Sequence, residues 1–427
     1  MRLKILIASV NHEHAATMHI NYYHALAEVA DVTFFGPGFS TKEELDRGIM
    51  HFAESRGGVD AIIYTFPLYL CAIEDFPIRS IYKWNRYFLS YYSIHDAMRY
   101  AGEILKELRK MDTLKLVLYG QDYVNISELW DEKLRCLLDE GFYIITWGED
   151  FIAEIEENID NTFGAGLMVN NLFRRLVCEY RPSVISIPFE AVICSEYYFG
   201  SLEERQYDWV VPGNIDGCYP NRSKVQGKVK NAGYKVYDNY SDRTLAYKVD
   251  SGRADKCLYE REIERFVDAK LGAGTPYLRN SLAREELVRW RENYNVSLRN
   301  SKIAYADGGM AHALVQKYME IPARGTLLAA EKIYGLEKLG FVDGENMVEI
   351  TPDNVIEVSA ELFRNPDRMR RIAENGQRLV IEKHTSSRRA QDTIKALAAI
   401  INKDFQGSYW EDGEFHIIKN HRREIQQ

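Results

Sequence analysis

The sequence predicts an α/β fold built from two parallel-sheet domains in tandem. Short apolar runs alternate with helical stretches along the first half, and the same alternation restarts after a charged stretch at residues 203–208. The chain has 427 residues, more than one hydrophobic core usually supports. Strands separated by helices of this length form βαβ units, so both sheets should be mainly parallel.

The first series of strands defines a predicted N-terminal domain over residues 1–204. Gly36, Pro37 and Gly38 form a strong turn signal that ends its second strand. Helices are predicted over Asn21–Ala30 and Thr41–Ser55. The predicted strands are Lys4–Val10, Val32–Phe35, Ala61–Phe66, Leu114–Tyr119, Tyr143–Thr146 and Val184–Ile187.

The second series defines a predicted C-terminal domain over residues 205–401, and a polar tail is predicted over residues 402–427. A long charged helical region is predicted over Glu260–Asn300. The predicted strands are Trp209–Val211, Lys235–Val236, Ile303–Ala306, Thr326–Ala330 and Met347–Ile350. The predicted helices are Arg222–Ala232, Pro352–Arg364, Pro366–Lys383 and Ser386–Ile401. Both domains are therefore expected to be Rossmann-like.

Composition and charge exclude several classes of protein. With 54 Lys and Arg against 63 Asp and Glu, the net charge of −9 argues against a general nucleic-acid binder. The six cysteines lie far apart without a CxxC pair, which favours the reduced thiols of a cytoplasmic protein over a metal cluster or disulfide scaffold. No apolar run reaches the roughly 18–20 residues of a membrane span, so no transmembrane segment is predicted.

The 28 tyrosines are unevenly distributed. One N-terminal segment holds Trp84 together with Tyr82, Tyr87, Tyr91, Tyr92 and Tyr100. Aromatic faces with polar tips suit a sugar ring or a membrane interface, and packing of amphipathic helices explains them as well.

The segment KYMEIPARGTLL, which begins at Lys317, carries the most informative acidic residue. Glu320 lies on a short predicted helix that ends at Gly325, a residue type common just after a helix. A carboxylate at this sheet edge can accept two hydrogen bonds from a ribose diol, as in dinucleotide-binding folds. A solvated helix glutamate is the alternative.

A glycine pair lies upstream, between a predicted strand and the next helix. Gly308 and Gly309, followed by Met310, allow backbone N–H groups to approach a phosphate at a helix N-terminus. An ordinary tight turn would have the same sequence.

The first strand of the second domain ends in a loop that is followed by cations. Asn214 closes this strand, and Arg222 and Lys224 follow within about ten residues. Arginine binds phosphate through two parallel hydrogen bonds and lysine as a point charge, so the pair suits a diphosphate leaving group. Ordinary surface cations are the alternative.

Candidate catalytic residues lie in the first domain. His12 and His14 follow the first strand, and an imidazole there could act as a base toward an acceptor hydroxyl. Asp122 follows the strand Leu114–Tyr119 and is a further candidate base or acceptor contact. A polar surface loop and a turn-forming aspartate are the alternatives. Two loop histidines do not make a metal site, so no metal is predicted.

Four blocks in the second half, taken in order, resemble the C-terminal domain of GT-B glycosyltransferases, especially the CgeB-like (spore maturation protein-like) group. The blocks are YDWVVPGN with YPNRSK, SLRNSKIAYADGG, KYMEIPARGTLL with GFVDGENMVEI, and FRNPDRMRRIAENGQRLVIEKHTSSRRA. The first half resembles the group only in outline, and the resemblance implies an acceptor site in its tyrosine-rich segment. The resemblance implies two Rossmann-like domains facing each other across a cleft, with C-terminal helices after the second sheet. It also implies that no metal or cofactor is needed.

The resemblance assigns roles to several of these residues. Glu320 matches the second glutamate of the E-x7-E pattern, which holds the donor ribose. The first glutamate falls at His312, where this sequence departs from the pattern, so the sugar contact and the stereochemical outcome are not predicted. Gly308 and Gly309 match the loop near the donor diphosphate. Arg222 and Lys224 match the cationic positions more loosely.

The leading functional prediction is transfer of a sugar from a nucleoside-diphosphate sugar, with UDP or GDP, to a hydroxyl of a glycan, a protein or a small molecule. A nucleic-acid acceptor is disfavoured by the overall acidity. Two alternatives remain open at this point. One is a sugar-nucleotide 2-epimerase of the same fold, and the other is a non-catalytic carbohydrate-binding or coat-assembly protein with a degenerate donor site.

Overall fold

The described residues of the computed structural model form two compact units. They comprise residues 2–9, 17–37, 39–65, 94–119, 128–152, 171–213, 219–237, 292–309 and 312–420. The N-terminal unit comprises Met1–Phe189, Ser386–Trp410 and Phe415–Gln427, and the C-terminal unit comprises Glu190–Thr385 and Glu411–Glu414. This division lies near residue 190, whereas the sequence predicted a boundary between residues 204 and 205.

Six parallel strands form the sheet of the N-terminal unit within its described residues, in the order β2-β1-β3-β4-β5-β6. The strands are β1 Lys4–Ala8, β2 Asp31–Phe35, β3 Ala61–Thr65, β4 Leu114–Leu118, β5 Tyr143–Thr146 and β6 Val184–Ser186. The helices are α1 Thr17–Val29, α2 Lys42–Ser55, α3 Ile94–Leu108, α4 Glu128–Asp139 and α5 Asn171–Glu179. Residues Ile5 to Ala8 of β1 are fully buried, as expected of a central strand covered on both faces.

Five parallel strands form the sheet of the C-terminal unit within its described residues, in the order β11-β10-β9-β7-β8. The strands are β7 Tyr207–Val210, β8 Val236–Tyr237, β9 Ser301–Ala306, β10 Leu327–Ala330 and β11 Val348–Glu349. The helices are α6 Pro220–Asn231, α7 Lys317–Ala323, α8 Val355–Arg364 and α9 Pro366–Lys383, and residues 292–299 form one further helix. The predicted fold class, two Rossmann-like parallel sheets, is confirmed; the cleft between the units stays a prediction.

The register of the second sheet aligns its strand ends. Val236, Trp209, Ile303 and Leu327 pair in one row across β8, β7, β9 and β10. Ala306 pairs with Ala330 at the carboxyl ends of β9 and β10. The residues that follow these two strands are therefore neighbours at the sheet edge, which positions the site described below.

A buried arginine forms hydrogen bonds to several chain segments at the amino edge of the same sheet, opposite the carboxyl edge. Arg205 precedes β7 and is 6% exposed, and its guanidinium donates to the backbone oxygens of Leu298, Ser301 and Arg324 and to Thr326 Oγ1 at 2.6–3.1 Å. Burial lowers the pKa of Arg205 to about 10. Its role is structural, because its acceptors are chain segments that enter the strands.

The last part of the chain corrects the prediction of a polar tail from residue 402. Helix α10, Ser386–Ile401, belongs to the N-terminal unit, and β12 Phe405–Glu411 and β13 Glu414–Lys419 form a hairpin. The hairpin turn is Asp412-Gly413, with φ angles of 49° and 77°, which is a strong hairpin signal. Trp410 is 1% exposed and donates through Nε1 to Ser186 O at 2.7 Å. Phe405, Trp410 and Phe415 of this segment are buried and belong to the N-terminal unit, so the segment is not a polar tail.

The same packing explains why α10 does not belong to the second domain as predicted. Tyr22 Oη on α1 lies 2.6 Å from Thr393 Oγ1 on α10, and both side chains are buried. Arg389 Nε donates to Pro188 O at 2.8 Å. The bounds of α10 could be read from local periodicity, whereas its packing partner is distant in the sequence.

Candidate functional site

A buried ion pair lies at the carboxyl edge of the second sheet. Asp307 follows β9, and Arg222 on α6 donates from Nε to Asp307 Oδ1 at 2.6 Å. Both side chains are 1% exposed. Burial raises the pKa of Asp307, and the charges of Arg222 and Lys317 oppose that shift. The guanidinium of Arg222 also lies over the ring of Tyr219, 3.5 Å from its centroid.

Arg222 was predicted to contact a diphosphate, and the structure shows that its main partner is Asp307. Asp307 was not predicted as a site residue, although it directly precedes the two glycines of the predicted phosphate loop. Arg222 neutralises the Asp307 carboxylate, and this contact holds the start of the loop after β9 close to α6. Lys224, the second predicted cation, is exposed on the outer surface of α6.

A second cation occupies the strand end where Lys224 had been expected to act. Lys317, the first residue of α7, extends over Gly213, which follows β7. A Cβ at position 213 would lie 2.8 Å from Lys317 Cε and 2.9 Å from its Nζ, and Gly213 has a φ of +86°. Position 213 must therefore be glycine for this lysine to lie there. The lysine and the arginine therefore both lie at this edge, beside the buried Asp307 carboxylate.

The loop after β9 is compact because of its glycines. His312 N–H donates to Gly309 O at 3.1 Å, and Ala313 N–H donates to Gly308 O at 3.2 Å. A Cβ on Gly308 would lie 2.6 Å from the Ala313 nitrogen. Gly309 has a φ of 62° and His312 a φ of 45°, which is uncommon for a residue with a side chain. Backbone strain of this kind often accompanies a functional site.

The loop brings His312 to a carboxylate that the sequence argument missed. Glu331 follows β10, and its backbone N–H donates to Ala306 O at 3.0 Å, which continues the sheet register. Its Oε1 lies 3.6 Å from His312 Nδ1 and accepts from Asn221 Nδ2 at 3.4 Å. Burial raises the pKa of Glu331, and the charge of His312 opposes this shift. The His312 side chain is 58% exposed.

Glu320 is held by a buried tyrosine. Tyr294 Oη donates to Glu320 Oε2 at 2.7 Å. Arg324 donates to the Glu320 backbone oxygen at 2.8 Å and to Glu196 Oε1 at 3.2 Å. Burial and the nearby charge of Glu320 raise the pKa of Glu196, and Arg324 opposes that shift. The predicted ribose-binding carboxylate is thus part of an ordered polar cluster and is not a solvated helix residue.

Several predicted site residues lie outside the described residues and stay predictions. They are His12, His14, Asp122, Asn214 and Met310. Most of the tyrosine-rich segment also lies outside them; Tyr100 is described, and its buried ring places Oη 2.7 Å from Asp46 Oδ1. Within the described part of the chain, no group of three or more His, Cys, Asp and Glu side chains could hold a metal ion.

A surface cavity of about 230 Å³ lies at the amino edge of the second sheet. Its lining includes Leu202, which precedes β7, and Gly325, which precedes β10. Ligands of open α/β sheets bind at the carboxyl edge, so the charged residues above define the candidate site and this cavity does not.

The two doubly wound units define the GT-B fold. The structure is similar to that of the Anabaena protein HepE in complex with UDP, with a TM-score of 0.50 at 10% identity over 93% of this chain and 100% of that chain. It is also similar to a glycosyltransferase from Rickettsia africae (TM-score 0.49, 11% identity, 94% and 99% covered). T4 phage BGT in complex with UDP-glucose is similar too (TM-score 0.46, 9% identity, 92% and 99% covered).

Residues 264–395 match the family model described as glycosyl transferase-like, a segment of just under a third of the chain. This segment includes Asp307, Lys317, Glu320 and Glu331. No curated protein matches the chain significantly. Among the described helices, none is long and apolar enough to cross a membrane. The CgeB-like subgroup stays a prediction.

Proposed function

We propose that this protein is a glycosyltransferase that moves a sugar from a nucleoside-diphosphate sugar to an acceptor hydroxyl. The charged carboxyl edge of the second sheet carries the proposal, because it combines two cations with ordered carboxylates inside the glycosyl transferase-like segment. Glycosyl transfer requires a site that binds an anionic leaving group and orients a ribose. This edge offers groups for both tasks.

The diphosphate lies, in this proposal, against the loop Gly308–Gly309 and the ammonium group of Lys317. When the bond between the anomeric carbon and the phosphate oxygen breaks, negative charge develops on the departing nucleoside diphosphate. Fixed backbone N–H groups and a cation stabilise that charge. Arg222 acts indirectly, because it neutralises the Asp307 carboxylate beneath the loop. We propose that these groups replace a divalent metal in the reaction.

The acceptor hydroxyl must lose a proton as its oxygen bonds to the anomeric carbon. His12, His14 and Asp122 are the candidate bases in the N-terminal unit, and each retains this role as a proposal. Uridine is the first donor base to test, because HepE and BGT were both crystallised with uridine nucleotides.

The proposal is tested by incubating the full chain with a panel of UDP-, GDP- and other activated sugars, and by measuring nucleotide release and sugar transfer with and without EDTA. We expect release from one donor class, unaffected by EDTA and reduced at least about tenfold in Glu320→Ala, since a lost charged hydrogen bond costs about that much. The absence of binding, hydrolysis and transfer with every donor would refute the proposal.

Product analysis without an acceptor separates the alternatives. A 2-epimerase would return an epimerised nucleotide sugar, which simple transfer cannot produce. A binding protein would be stabilised by the nucleotide but would leave the donor unchanged.

A further inference from the structure

The hydrogen bond from Tyr294 to Glu320 joins two elements that flank β9. Tyr294 belongs to the helix 292–299 before the strand, and Glu320 belongs to α7 after it. The Oη to Oε2 distance is 2.7 Å, and the tyrosine is 9% exposed. Burial and the charge of Glu320 raise the pKa of Tyr294 well above its usual value, so the hydroxyl remains a hydrogen-bond donor.

The helix that carries Tyr294 is itself anchored. Tyr294, Ser297 and Leu298 share its buried face, and the last two are fully buried. Thr326 Oγ1 donates to Leu298 O at 2.8 Å, and Arg205 donates to the same oxygen at 3.1 Å. The tyrosine hydroxyl is thus presented from a rigid support.

The surrounding cluster contains the carboxyl groups of Glu196 and Glu320 and the guanidinium of Arg324. Arg324 is 2% exposed and donates to Glu196 Oε1 at 3.2 Å, and the charge of Glu320 contributes to raising the pKa of Glu196. A neutral ligand with two hydroxyl donors suits such a cluster, because it adds hydrogen bonds without adding charge. A ribose diol has this chemistry.

We infer that Tyr294 is a positioning residue that orients the Glu320 carboxylate for a two-point contact with a ribose diol, so that the site selects ribonucleotides over 2′-deoxyribonucleotides. The inference rests on the proposed function. The tyrosine occupies Oε2 from one side and thereby sets the rotation of the carboxylate. The remaining acceptor positions of the carboxylate then face the two ribose hydroxyls together.

The test compares the binding of UDP and 2′-deoxy-UDP to the full chain by calorimetry. We expect the wild type to bind UDP about tenfold more tightly, as expected of a site built around a substrate hydroxyl. Tyr294→Phe should lower this ratio to about threefold or less, with the affinity for 2′-deoxy-UDP changed by less than about twofold. Glu320→Gln should lower the ratio further.

Tyr64→Phe is the matched control, since Tyr64 is a fully buried tyrosine of the N-terminal unit whose Oη donates to Ala101 O at 3.0 Å. It should lose a similar amount of stability and keep the ratio of the wild type. If Tyr294→Phe does not fold, Glu320→Asp provides the second test, because the shorter side chain keeps its charge but withdraws from the tyrosine hydroxyl.

A variant Tyr294→Phe that folds and discriminates as strongly as the wild type would overturn the inference and leave the proposed function standing. The same holds for a folded Glu320→Asp with an unchanged ratio. A wild type that binds nucleotides but does not distinguish the two sugars would overturn the inference as well. A wild type that binds no nucleoside diphosphate would overturn both.

Discussion

The carboxyl edges of the two sheets differ in chemistry although their topologies are alike. In the N-terminal unit, Thr65 Oγ1 donates to Ser9 Oγ at 2.8 Å, and both residues are fully buried. In the C-terminal unit, the corresponding strand ends carry Asp307 and Glu331, with Arg222 beside them. The ends of β1 and β3, called the neutral edge below, therefore carry paired hydroxyls, whereas the ends of β9 and β10, called the charged edge, carry ionisable groups.

This difference shows that a shared fold does not determine chemistry. A buried charge is unfavourable unless it is paired, and the buried Asp307 carboxylate has Arg222 as its partner. Buried hydroxyls satisfy each other and need no ion partner. The charged edge is the one that the proposed function assigns to the anionic donor.

The largest expected effect comes from breaking the ion pair of the charged edge. Arg222→Met should lower the free energy of unfolding by about 3–5 kcal/mol, because it leaves an unpaired buried carboxylate. Thr65→Val at the neutral edge should cost only about 1 kcal/mol. Chemical denaturation of both variants measures the contrast, and Arg222→Met/Asp307→Leu should recover most of the loss. Equal losses of stability in Arg222→Met and Thr65→Val would contradict the expected difference between the two edges.

UDP affinity should distinguish two lysines. The sequence indicated Lys224 as a diphosphate contact, whereas the structure places Lys317 at the strand end. Lys317→Gln should weaken UDP binding about tenfold, as expected of one lost charge-assisted contact. Lys224→Gln, on the exposed surface of α6, should change it less than about twofold. Calorimetric titration measures both affinities. A larger loss of UDP affinity in Lys224→Gln than in Lys317→Gln would show that Lys317 is not part of the proposed diphosphate site.

Substitutions of two glycines with positive φ can distinguish the cost of backbone strain from the loss of a lysine contact with the nucleotide. Gly213→Ala and Gly58→Ala both place a side chain at a φ of +86° or +77°, and each should cost about 1 kcal/mol of stability. A Cβ at position 58 meets nothing within 4 Å, whereas one at position 213 displaces Lys317. Only Gly213→Ala should therefore also weaken UDP binding, by about threefold or more. An unchanged affinity would show that Lys317 does not need this position.

The smallest effect concerns pH. Burial raises the pKa of Glu331 above 4.5, so the folded chain binds this proton more tightly, and stability falls as pH rises through the folded pKa. Glu331→Gln should remove that fall.

Glu203 should show the opposite pH dependence. Hydrogen bonding from Ser201 and other groups lowers the pKa of the exposed Glu203 to about 2. Glu203→Gln should remove a loss of stability that the wild type shows as pH falls below 4.5. Unfolding midpoints measured across these pH ranges check both signs.

Local patterns determined the elements of this protein well. The strand Tyr143–Thr146 and the helices Pro366–Lys383 and Ser386–Ile401 agree with prediction to the residue. Apolar periodicity, Gly-Pro turns and helix caps act over a few residues, so they can be read without knowledge of the fold. The hairpin after residue 402 was missed although its Asp-Gly turn, with aromatic residues on both sides, was visible in the sequence.

The sequence by itself therefore determined the α/β class and the two tandem sheets, and it indicated the segment around Glu320 as a candidate site. The tertiary structure decided which side chains meet there. Tyr294 and Glu320 are 26 positions apart, and Gly213 and Lys317 are further apart still. Their contacts depend on strand order and register, which bring separate segments to one sheet edge. No local pattern encodes that meeting, because it arises from the packing of the whole unit.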